Sequence, residues 1–260
     1  MKILLVNDDG IEAEGILTLA ECLSEKHEIY IAAPMHQMSC YSHSVTYFRQ
    51  INKAVKRDVP FAEEAWAIEA TPADCTYYAL NGLLGIEPDL VISGINHGPN
   101  MSSDAIYSGT IGAASEGMIN GVPSMAVSLC ANHGVNFKTA AVIAAEAAEL
   151  FMNDPHRYTY ILGINVPDLE LDQLKGIRIT HFAGTLDYRR RIKAEKQHND
   201  TYLLDLAENA FDPHKEAEDP AADTTAVNNG YVSFTPLYND ICRHDLEKGM
   251  QYYCSIFQKI

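Results

Sequence analysis

The stretch of sequence that decides the fold is Ile3-Leu4-Leu5-Val6-Asn7-Asp8-Asp9-Gly10. Its four apolar residues are typical of a short buried strand, and the polar turn that follows ends that strand. Apolar residues then recur at helical spacing between Ile16 and Leu23, and a second apolar strand covers Glu28–Ala33 and ends at Pro34. A strand, a helix and a strand in this order predict a parallel sheet covered by helices.

The alternation of strands and helices continues along the chain. Three more apolar runs are predicted to be strands of the same sheet: Asp89–Ser93, Ser124–Leu129 and Tyr160–Val166. Three segments are predicted to be helices: Ala73–Leu84, which Pro72 precedes, Thr110–Ile119 and Thr139–Met152. Two segments have the pattern of extended chain: Val45–Ile51 and Ala65–Ala70. We therefore predict an α/β fold of three layers, with a mostly parallel, Rossmann-like sheet between helices.

The sequence changes character after about residue 184. A basic run covers Arg189–Lys193, and an acidic stretch with two prolines covers Asp205–Asp223. Extended segments are predicted at Tyr202–Leu206 and Tyr231–Phe234, and a helix near Ile241–Gly249. These features predict an α/β core over residues 1–184, followed over residues 185–260 by a hairpin and a C-terminal arm that serve in subunit contact.

Composition excludes several classes of function. The chain has 260 residues, with 35 acidic against 19 basic residues and a formal charge of −16. Such a charge repels polynucleotide phosphate, so we expect no binding to DNA or RNA, and a small phosphorylated ligand would need a local cation. No apolar run reaches the roughly 18 residues of a membrane span or forms a signal peptide. We expect a cytoplasmic protein without membrane contact, whose six scattered cysteines are reduced thiols.

Polar clusters follow three of the predicted strands directly, at residues 7–10, 34–44 and 94–100. Because ligands of such sheets bind at the carboxyl ends of the strands, we expect these clusters to converge on one edge. Asp8 and Asp9 are adjacent carboxylates that repel one another unless a cation lies between them, which suits Mg²⁺ or Mn²⁺. The alternative is that one of them only caps the next helix.

Other polar residues in these clusters are candidates for the same site. The amide oxygen of Asn96 is a suitable neutral ligand for a hard cation, although asparagine is also common in turns. The helix start at Ser108-Gly109-Thr110 could bind an anion through its free N–H groups, or could be an ordinary cap. The hydroxyls that follow the second strand could ligate a metal or phosphate, or simply decorate a surface loop: Ser39, Ser42, Ser44 and Thr46.

Three histidines could transfer protons: His36, His43 and His97. His97 is the best candidate because it adjoins Asn96. The fingerprints of dinucleotide binding, of P-loop ATP hydrolysis and of α/β-hydrolases are absent from the sequence.

Several short motifs follow one another along the chain in a fixed order and spacing. In chain order they are Asn7-Asp8-Asp9-Gly10-Ile11 with Gly15-Ile16, Ala33-Pro34, Ser39-x-x-Ser42-x-Ser44-x-Thr46, Thr71-Pro72-Ala73-Asp74-Cys75, Ser93-Gly94-Ile95-Asn96-x-Gly98-x-Asn100, Tyr107-Ser108-Gly109-Thr110-x-Gly112-Ala113-Ala114-x-Glu116-Gly117, Gly121-x-Pro123-Ser124 and Thr235-Pro236-Leu237. Together these motifs closely resemble the survival protein E (stationary-phase survival) family.

The resemblance implies a nucleotidase that releases phosphate from nucleoside 5′- and 3′-monophosphates, with one Mg²⁺ or Mn²⁺ ion per subunit. It implies metal ligation by four residues: Asp8, Asp9, Ser39 and Asn96. Substrate binding falls to Asn100, Ser108, Gly109 and Thr110, and the catalytic residues are Asp8, Asp9 and His97, with Asp9 or His97 as the group that transfers a proton. The resemblance also implies a homodimer or homotetramer formed through an exchanged C-terminal arm.

The chain departs from the family pattern at three places. Gln37-Met38-Ser39-Cys40 stands where the family has Asn-Arg-Ser-Gly, Ala70 stands where glycine is usual, and Gln197–Leu204 lacks the usual Asp-Pro-Arg-Gly and Tyr-Trp features. These departures bear on substrate range and arm geometry. Two other functions stay open: a phosphoacceptor signalling domain, whose pattern Asn96 and the Ser108-Gly109-Thr110 run do not fit, and a metal- or nucleotide-binding protein with weakened catalysis.

Overall fold

One large sheet and one small hairpin are seen in the computed structural model, which describes residues 1–131, 135–183, 192–199, 201–206 and 219–238. The strands are β1 Lys2–Val6, β2 Glu28–Pro34, β3 Ala54–Arg57, β4 Glu64–Ile68, β5 Leu90–His97, β6 Ser124–Cys130, β7 Ile161–Pro167, β8 Ile177–Ile179, β9 Ile192–Lys196, β10 Tyr202–Leu206 and β11 Val232–Leu237. The α-helices are α1 Glu14–Ser24, α2 Pro72–Tyr78, α3 Gly109–Ile119, α4 Phe137–Phe151 and α5 Asp223–Asn228.

The large sheet has the strand order β3-β4-β2-β1-β5-β6-β7-β11-β8. The six strands from β4 to β7 in this order run parallel, whereas β3 is antiparallel to β4 and β11 is antiparallel to β7. From β1 the chain moves outward to β2 and then returns across β1 to β5. The strand order therefore reverses between β1 and β5, which is where α/β sheets of this kind bind their ligands.

Helices cover both faces of the sheet, as the alternation of side chains along β1 requires. Ile3 and Leu5 point into one core with α1 and α4, while Leu4 and Val6 point into a second core with α2 and α3. Residues buried on both faces explain why the parallel strands are continuous apolar runs in the sequence. The predicted three-layer α/β fold with a mostly parallel sheet is confirmed.

Two predicted elements differ from those observed. Val45–Ile51 is not a strand, because the Thr46 backbone N–H donates to the Asp74 carboxylate at 2.9 and 3.0 Å rather than to a neighbouring strand. The edge strand is instead β3, which begins at Ala54, three residues after Ile51. The helix predicted over Ala73–Leu84 is α2 followed by a π-helical turn over Ala79–Leu83, in which Gly82 has a φ of +130° and breaks the helical path.

The predicted C-terminal arm is only partly separate from the core. Strands β9 and β10 pair with each other as an antiparallel hairpin outside the large sheet. Strand β11 lies inside the large sheet between β7 and β8, so the boundary at residue 184 does not separate the arm from the sheet. The helix predicted near Ile241–Gly249 lies outside the described residues. Within those residues, no helix combines the length and hydrophobicity that crossing a membrane would need.

Candidate functional site

The turn after β1 presents Asp8 and Asp9 at the point where the strand order reverses. Asn7 closes this turn, since its side-chain amide donates to the Gly10 carbonyl at 2.7 Å and its Oδ1 accepts the Gly10 N–H at 3.2 Å. Gly10 has a φ of +106°, a conformation that side chains disfavour. The predicted convergence on one sheet edge begins from this rigid turn.

The Asp8 carboxylate is buried against the first turn of α3. Its Oδ1 accepts the Thr110 hydroxyl at 2.7 Å, and the side chain is 3% exposed. A Cβ on Gly109 would lie 2.9 Å from the Asp8 Cβ, so only glycine allows this approach. The pKa of Asp8 is raised to about 6, mainly by burial; the hydrogen bond from Thr110 lowers it and the neighbouring Asp9 charge raises it within that net value.

Asp9 joins the end of β1 to the end of β5. Its Oδ2 accepts the backbone N–H of His97 at 3.0 Å. Burial raises the pKa of Asp9 above its usual range, while the bond from the His97 N–H and the charge of His97 lower it. The imidazole of His97 is exposed and its ring centre lies 6.3 Å from that of Phe137, at the start of α4. The structure therefore places the Asp9 carboxylate beside the backbone of His97, and the proton-transfer role of either residue stays a prediction.

Asn96 lies on the same edge, at an irregularity in β5. The pairing with β6 shifts between Ser93 and Asn96, where Gly94 has a φ of +137° and a Cβ would come 2.3 Å from the Val127 carbonyl oxygen. The side-chain nitrogen of Asn96 donates to the Gly98 carbonyl at 2.8 Å. No hydrogen bond from another described residue reaches its Oδ1, so this oxygen is free to ligate a cation.

Ser39 is carried to the site by the long loop after β2. The backbone N–H of Met38 donates to the Asp8 carbonyl at 2.7 Å, which fixes the loop one residue before Ser39. Ser39 is exposed, and its Oγ accepts the Gln37 side-chain amide at 3.1 Å. A hydroxyl thus lies on the loop that is tied to the carboxylate turn.

The Ser42 and Thr46 hydroxyls of this loop hold its shape. Ser42 Oγ donates to the Ile106 carbonyl at 2.7 Å, and Thr46 Oγ1 donates to Asp74 at 2.5 Å. Asp74 also completes a capping box with Thr71 at the start of α2, and Thr71 Oγ1 donates to the Ser44 carbonyl at 2.7 Å. The Thr71-Pro72-Ala73-Asp74 motif therefore fixes the loop to the start of α2.

His43 is likewise engaged outside the carboxylate pair. Its Nε2 lies 2.8 Å from a carboxylate oxygen of Glu116, which is 6% exposed on α3. His36 is exposed on the same loop. Of the three candidate histidines, His97 alone adjoins the carboxylates through a hydrogen bond among the described residues.

Two of the predicted substrate residues, Asn100 and Thr110, are hydrogen-bonded to each other at the start of α3. Asn100 donates its side-chain amide to Thr110 Oγ1 at 3.3 Å and to Ser128 Oγ at 2.8 Å. Its backbone is held by Asn165, which accepts the Asn100 N–H at 2.9 Å and donates to the Asn100 carbonyl at 3.2 Å. Ser108 caps α3 by accepting the Ile111 N–H at 3.0 Å, so the capping alternative holds for its hydroxyl.

Two residues that hydrogen-bond to Asn100 were not predicted from the sequence: Ser128 and Asn165. The two residues are register partners on β6 and β7, and Asn96 is the partner of Ser128 on β5. A row of polar side chains thus crosses three neighbouring strands near their carboxyl ends. The available signal was a polar residue in the middle of each mostly apolar strand.

The chemistry of the site is that of two crowded carboxylates with neutral oxygen donors nearby. Within the described part of the chain, neither Asp8 nor Asp9 pairs with lysine or arginine, and no cluster of three or more His, Cys, Asp or Glu could hold a metal. A cation that such a site binds would therefore take two carboxylates and neutral groups such as Ser39 and Asn96. Oxygen donors of this kind suit hard divalent cations.

Comparison with known proteins gives a single family. The model of the family described as "Survival protein SurE" matches residues 3–188. The chain is 41% identical to the 5′-nucleotidase SurE of Pelotomaculum thermopropionicum over 256 residues, which are 96% of this chain and 94% of that one. It is 39% identical to the 5′/3′-nucleotidase SurE of Proteus mirabilis over 242 residues, which are 92% and 91% of the two chains.

A solved structure agrees with these relatives. The crystal structure of the SurE protein from Aquifex aeolicus superposes with a TM-score of 0.81 at 32% identity, and the alignment covers 97% of this chain and 99% of that one. The matched segment includes both carboxylates, the Ser39 loop and the start of α3. By sequence and by fold, the chain belongs to the survival protein SurE family.

Proposed function

We propose that this protein is a metal-dependent phosphomonoesterase that hydrolyses nucleoside 5′- and 3′-monophosphates to nucleoside and phosphate. The names of its relatives, 5′-nucleotidase and 5′/3′-nucleotidase, support the reaction. The structural observation that carries the proposal is the pair of adjacent carboxylates at the reversal of strand order: Asp8, buried against the first turn of α3, and Asp9, half-buried.

One Mg²⁺ or Mn²⁺ ion per subunit would be held by Asp8, Asp9, Ser39 and Asn96. The fit rests on two carboxylates whose pKa values are raised by burial, and on an Asn96 oxygen without a hydrogen bond from the described residues. A bound divalent ion would polarise the phosphoryl oxygens and lower the pKa of a water. The turn after β1 would supply the two carboxylates, and the loop after β2 and the end of β5 would supply the two neutral oxygens.

The phosphate group would lie against the first turn of α3 and Asn100. The helix N-terminus favours an anion through its backbone N–H groups and its dipole. Ser108 and Gly109 begin this turn, and Thr110 links the Asp8 carboxylate to Asn100. Position and charge stabilisation account for most of catalysis in phosphoryl transfer, so a fixed Asn100 beside the helix start suits that task.

Proton transfer is assigned to Asp9, with His97 as the second candidate. The His97 N–H fixes the Asp9 Oδ2, and burial raises the pKa of the carboxyl towards the range of a useful general base. Asp9 would take the proton of the attacking water. The imidazole of His97 is exposed at the end of β5 and would return a proton to the leaving oxygen.

A homodimer or homotetramer is proposed to form through the hairpin and arm. Three neighbouring side chains of β10 are apolar and exposed, at 51% for Tyr202, 59% for Leu203 and 71% for Leu204. A run of exposed apolar side chains on a two-stranded hairpin is typical of a contact surface. The cytoplasmic location and the lack of polynucleotide binding stay predictions from the sequence.

A phosphate-release assay tests the proposed function. Nucleoside 5′- and 3′-monophosphates should be hydrolysed in Mn²⁺ or Mg²⁺, and excess chelator should abolish turnover until the metal is restored. Asp8→Asn should lose turnover, whereas Asp58→Asn, an exposed carboxylate after β3, should keep it. Full turnover in excess chelator would contradict the metal role. Tight nucleotide binding without release would favour the binding protein, and phosphate left on the protein would favour the phosphoacceptor.

A further inference from the structure

Asp223, the first residue of α5, has a buried carboxylate that the site described above does not use. Its side chain is fully buried, and one oxygen accepts the backbone N–H of Ser102 at 2.7 Å. The other oxygen accepts the Ser102 hydroxyl at 2.8 Å, the Ala183 N–H at 3.2 Å and the Thr224 N–H at 2.8 Å. The Asp223 carboxylate thus joins Ser102 and Ala183, which are distant from it in the sequence.

The bonds from Ser102 to Asp223 hold a strained stretch of backbone. Ser102 has a φ of +51°, in the left-handed region that residues with a Cβ rarely adopt. Its neighbours in the chain cannot impose that conformation, whereas two donors fixed on a buried carboxylate can. Strain of this kind persists only where the surroundings enforce it, and it is concentrated at functional loops.

The strained residue belongs to the loop that carries Asn100. The loop begins at Gly98, whose N–H donates to the Leu129 carbonyl on β6 at 2.9 Å. The backbone N–H of Asn100 donates to Asn165, and Met101 packs with Cys130 and Val227. Ser102 ends this loop and begins a 3₁₀-helical turn, Ser102–Ile106, that leads towards the start of α3. The loop is thus held at its beginning by the sheet and at its end by Asp223.

We propose that Asp223 is a positioning residue for phosphoryl transfer, acting through Ser102 on Asn100; this assignment rests on the proposed function. Met101 of the loop and Val227 of α5 also line one cleft of about 500 Å³ beside the site. Asp223 joins the two walls of that cleft. The same carboxylate accepts the Ala183 N–H, so the segment after β8 and the substrate loop share one anchor.

A purely structural role for Asp223 gives a different expectation. As the first residue of a short helix, it could serve only to start α5. Its loss would then lower stability and the fraction of folded protein without changing the turnover of what stays folded. A positioning role predicts lower kcat in fully folded protein, since small misplacement of a substrate group costs roughly 10- to 100-fold in rate.

The test is Asp223→Asn in the full-length protein with Mn²⁺. Asparagine keeps the size of the side chain, but its amide nitrogen only donates, so either the Ser102 N–H on one oxygen or the Ala183 N–H on the other loses its acceptor. We expect kcat on a nucleoside 5′-monophosphate to fall roughly 10- to 100-fold. Mn²⁺ affinity should stay unchanged, because Gly98 is anchored independently of Asp223. Amide hydrogen exchange over residues 98–106 should become faster.

Asp219→Asn is the matched control. Asp219 lies four residues earlier, exposed, and pairs with His181 at 2.8 Å without contacting the loop. This variant should keep both kcat and the exchange of residues 98–106. Equal loss in the two variants would assign the effect to charge in this region and overturn the proposal.

A pair of substitutions at Ser102 tests the same link from the other side. Ser102→Ala removes the hydroxyl and keeps a Cβ in the strained conformation, whereas Ser102→Gly removes the hydroxyl and the strain together. We expect Ser102→Gly to stay nearer the wild-type kcat than Ser102→Ala, and to recover part of the loss in Asp223→Asn. Identical kcat in the two Ser102 variants would contradict a loop held by strain.

Failure of this inference is separable from failure of the proposed function. If the wild-type protein releases no phosphate from any nucleotide, the proposed function is wrong, and the affinity for inorganic phosphate replaces kcat as the readout. The inference is overturned if Asp223→Asn keeps wild-type kcat and wild-type exchange of residues 98–106. It is also overturned if turnover, Mn²⁺ affinity and thermal stability all fall together.

Discussion

Replacing Asp8 with asparagine should stabilise the metal-free protein while it destroys the site. Burial raises the pKa of Asp8 from 3.8 to about 6, so the ionised carboxylate lowers the free energy of unfolding of the metal-free protein. A difference of about two pKa units corresponds to about 3 kcal/mol near neutral pH, since each unit is about 1.4 kcal/mol. Asparagine has the same shape and can still accept the Thr110 hydroxyl, so most of that free energy should be recovered.

The gain in stability should depend on pH in a defined direction. A carboxyl group whose pKa is raised by folding favours the folded state only in its protonated form. The destabilisation by the ionised carboxylate is at its full size above about pH 6 and declines as the pH falls through the pKa of the folded state. It is gone below the pKa of the unfolded state, about 4. The difference between Asp8→Asn and the wild type should therefore be largest near pH 7.5 and vanish near about pH 4.

Thermal unfolding in excess chelator measures this difference. For a chain of this size, about 3 kcal/mol corresponds to a rise in Tm of roughly 6–12 °C. Addition of Mn²⁺ should reverse the order, because a ligand that binds only the folded state stabilises it and Asp8→Asn has lost a ligand group. Asp58→Asn should behave as the wild type throughout. A lower Tm for Asp8→Asn in chelator at neutral pH would refute the reasoning, because the ionised carboxylate would then be stabilised by the protein alone.

Three further substitutions or deletions test the rest of the site and the arm. Replacing residues 185–218 with a short flexible linker, so that α5 and β11 are kept, should convert the proposed oligomer to a monomer by light scattering; a wild-type monomer at micromolar concentration would contradict the proposed assembly. Cys40 is exposed, follows Ser39 and has a φ of +66°, so alkylation or trace Zn²⁺ should inhibit the wild type but not Cys40→Gly, which glycine also suits conformationally. Equal inhibition of both would assign the effect to another group. Gly109→Ala would place its Cβ 2.9 Å from the Asp8 Cβ and should weaken Mn²⁺ binding at least about tenfold by titration, whereas unchanged affinity would show that the turn can move aside.

The parallel core could be predicted from the sequence because both faces of its strands are buried. Strands such as β1 and β6 are continuous apolar runs, and their ends are marked by the polar residues that follow them. The same property placed Asp8 and Asp9 at the carboxyl edge before any contact was known. Strand β3 escaped prediction because it is an edge strand that is half polar, with Lys56 and Arg57 exposed.

The loop after β2 could not be predicted from local pattern. The aromatic and β-branched residues between Val45 and Ile51 favour a strand, yet Tyr47 stacks on Tyr77 with ring centres 4.3 Å apart. The backbone N–H of Thr46 is taken by Asp74, which lies 28 residues later. A hydrogen-bond partner at that distance in the sequence overrides the local preference for a strand.

The site contains residues proposed to contact the ligand and residues that hold them in place, and only the first kind could be predicted from the sequence. The groups that are proposed to contact the metal or the phosphate lie near the ends of strands or at the start of a helix. Their positions in the sequence therefore make them recognisable. Groups that hold them are drawn from elements far along the chain: Asn165 lies 65 residues from Asn100, and Asp223 lies 121 residues from Ser102. Each is one polar residue in an ordinary element, and its local sequence carries no sign of its partner. Its function depends on which loop the fold brings to it, and that is settled only by the packing of α5 and β7 against the site.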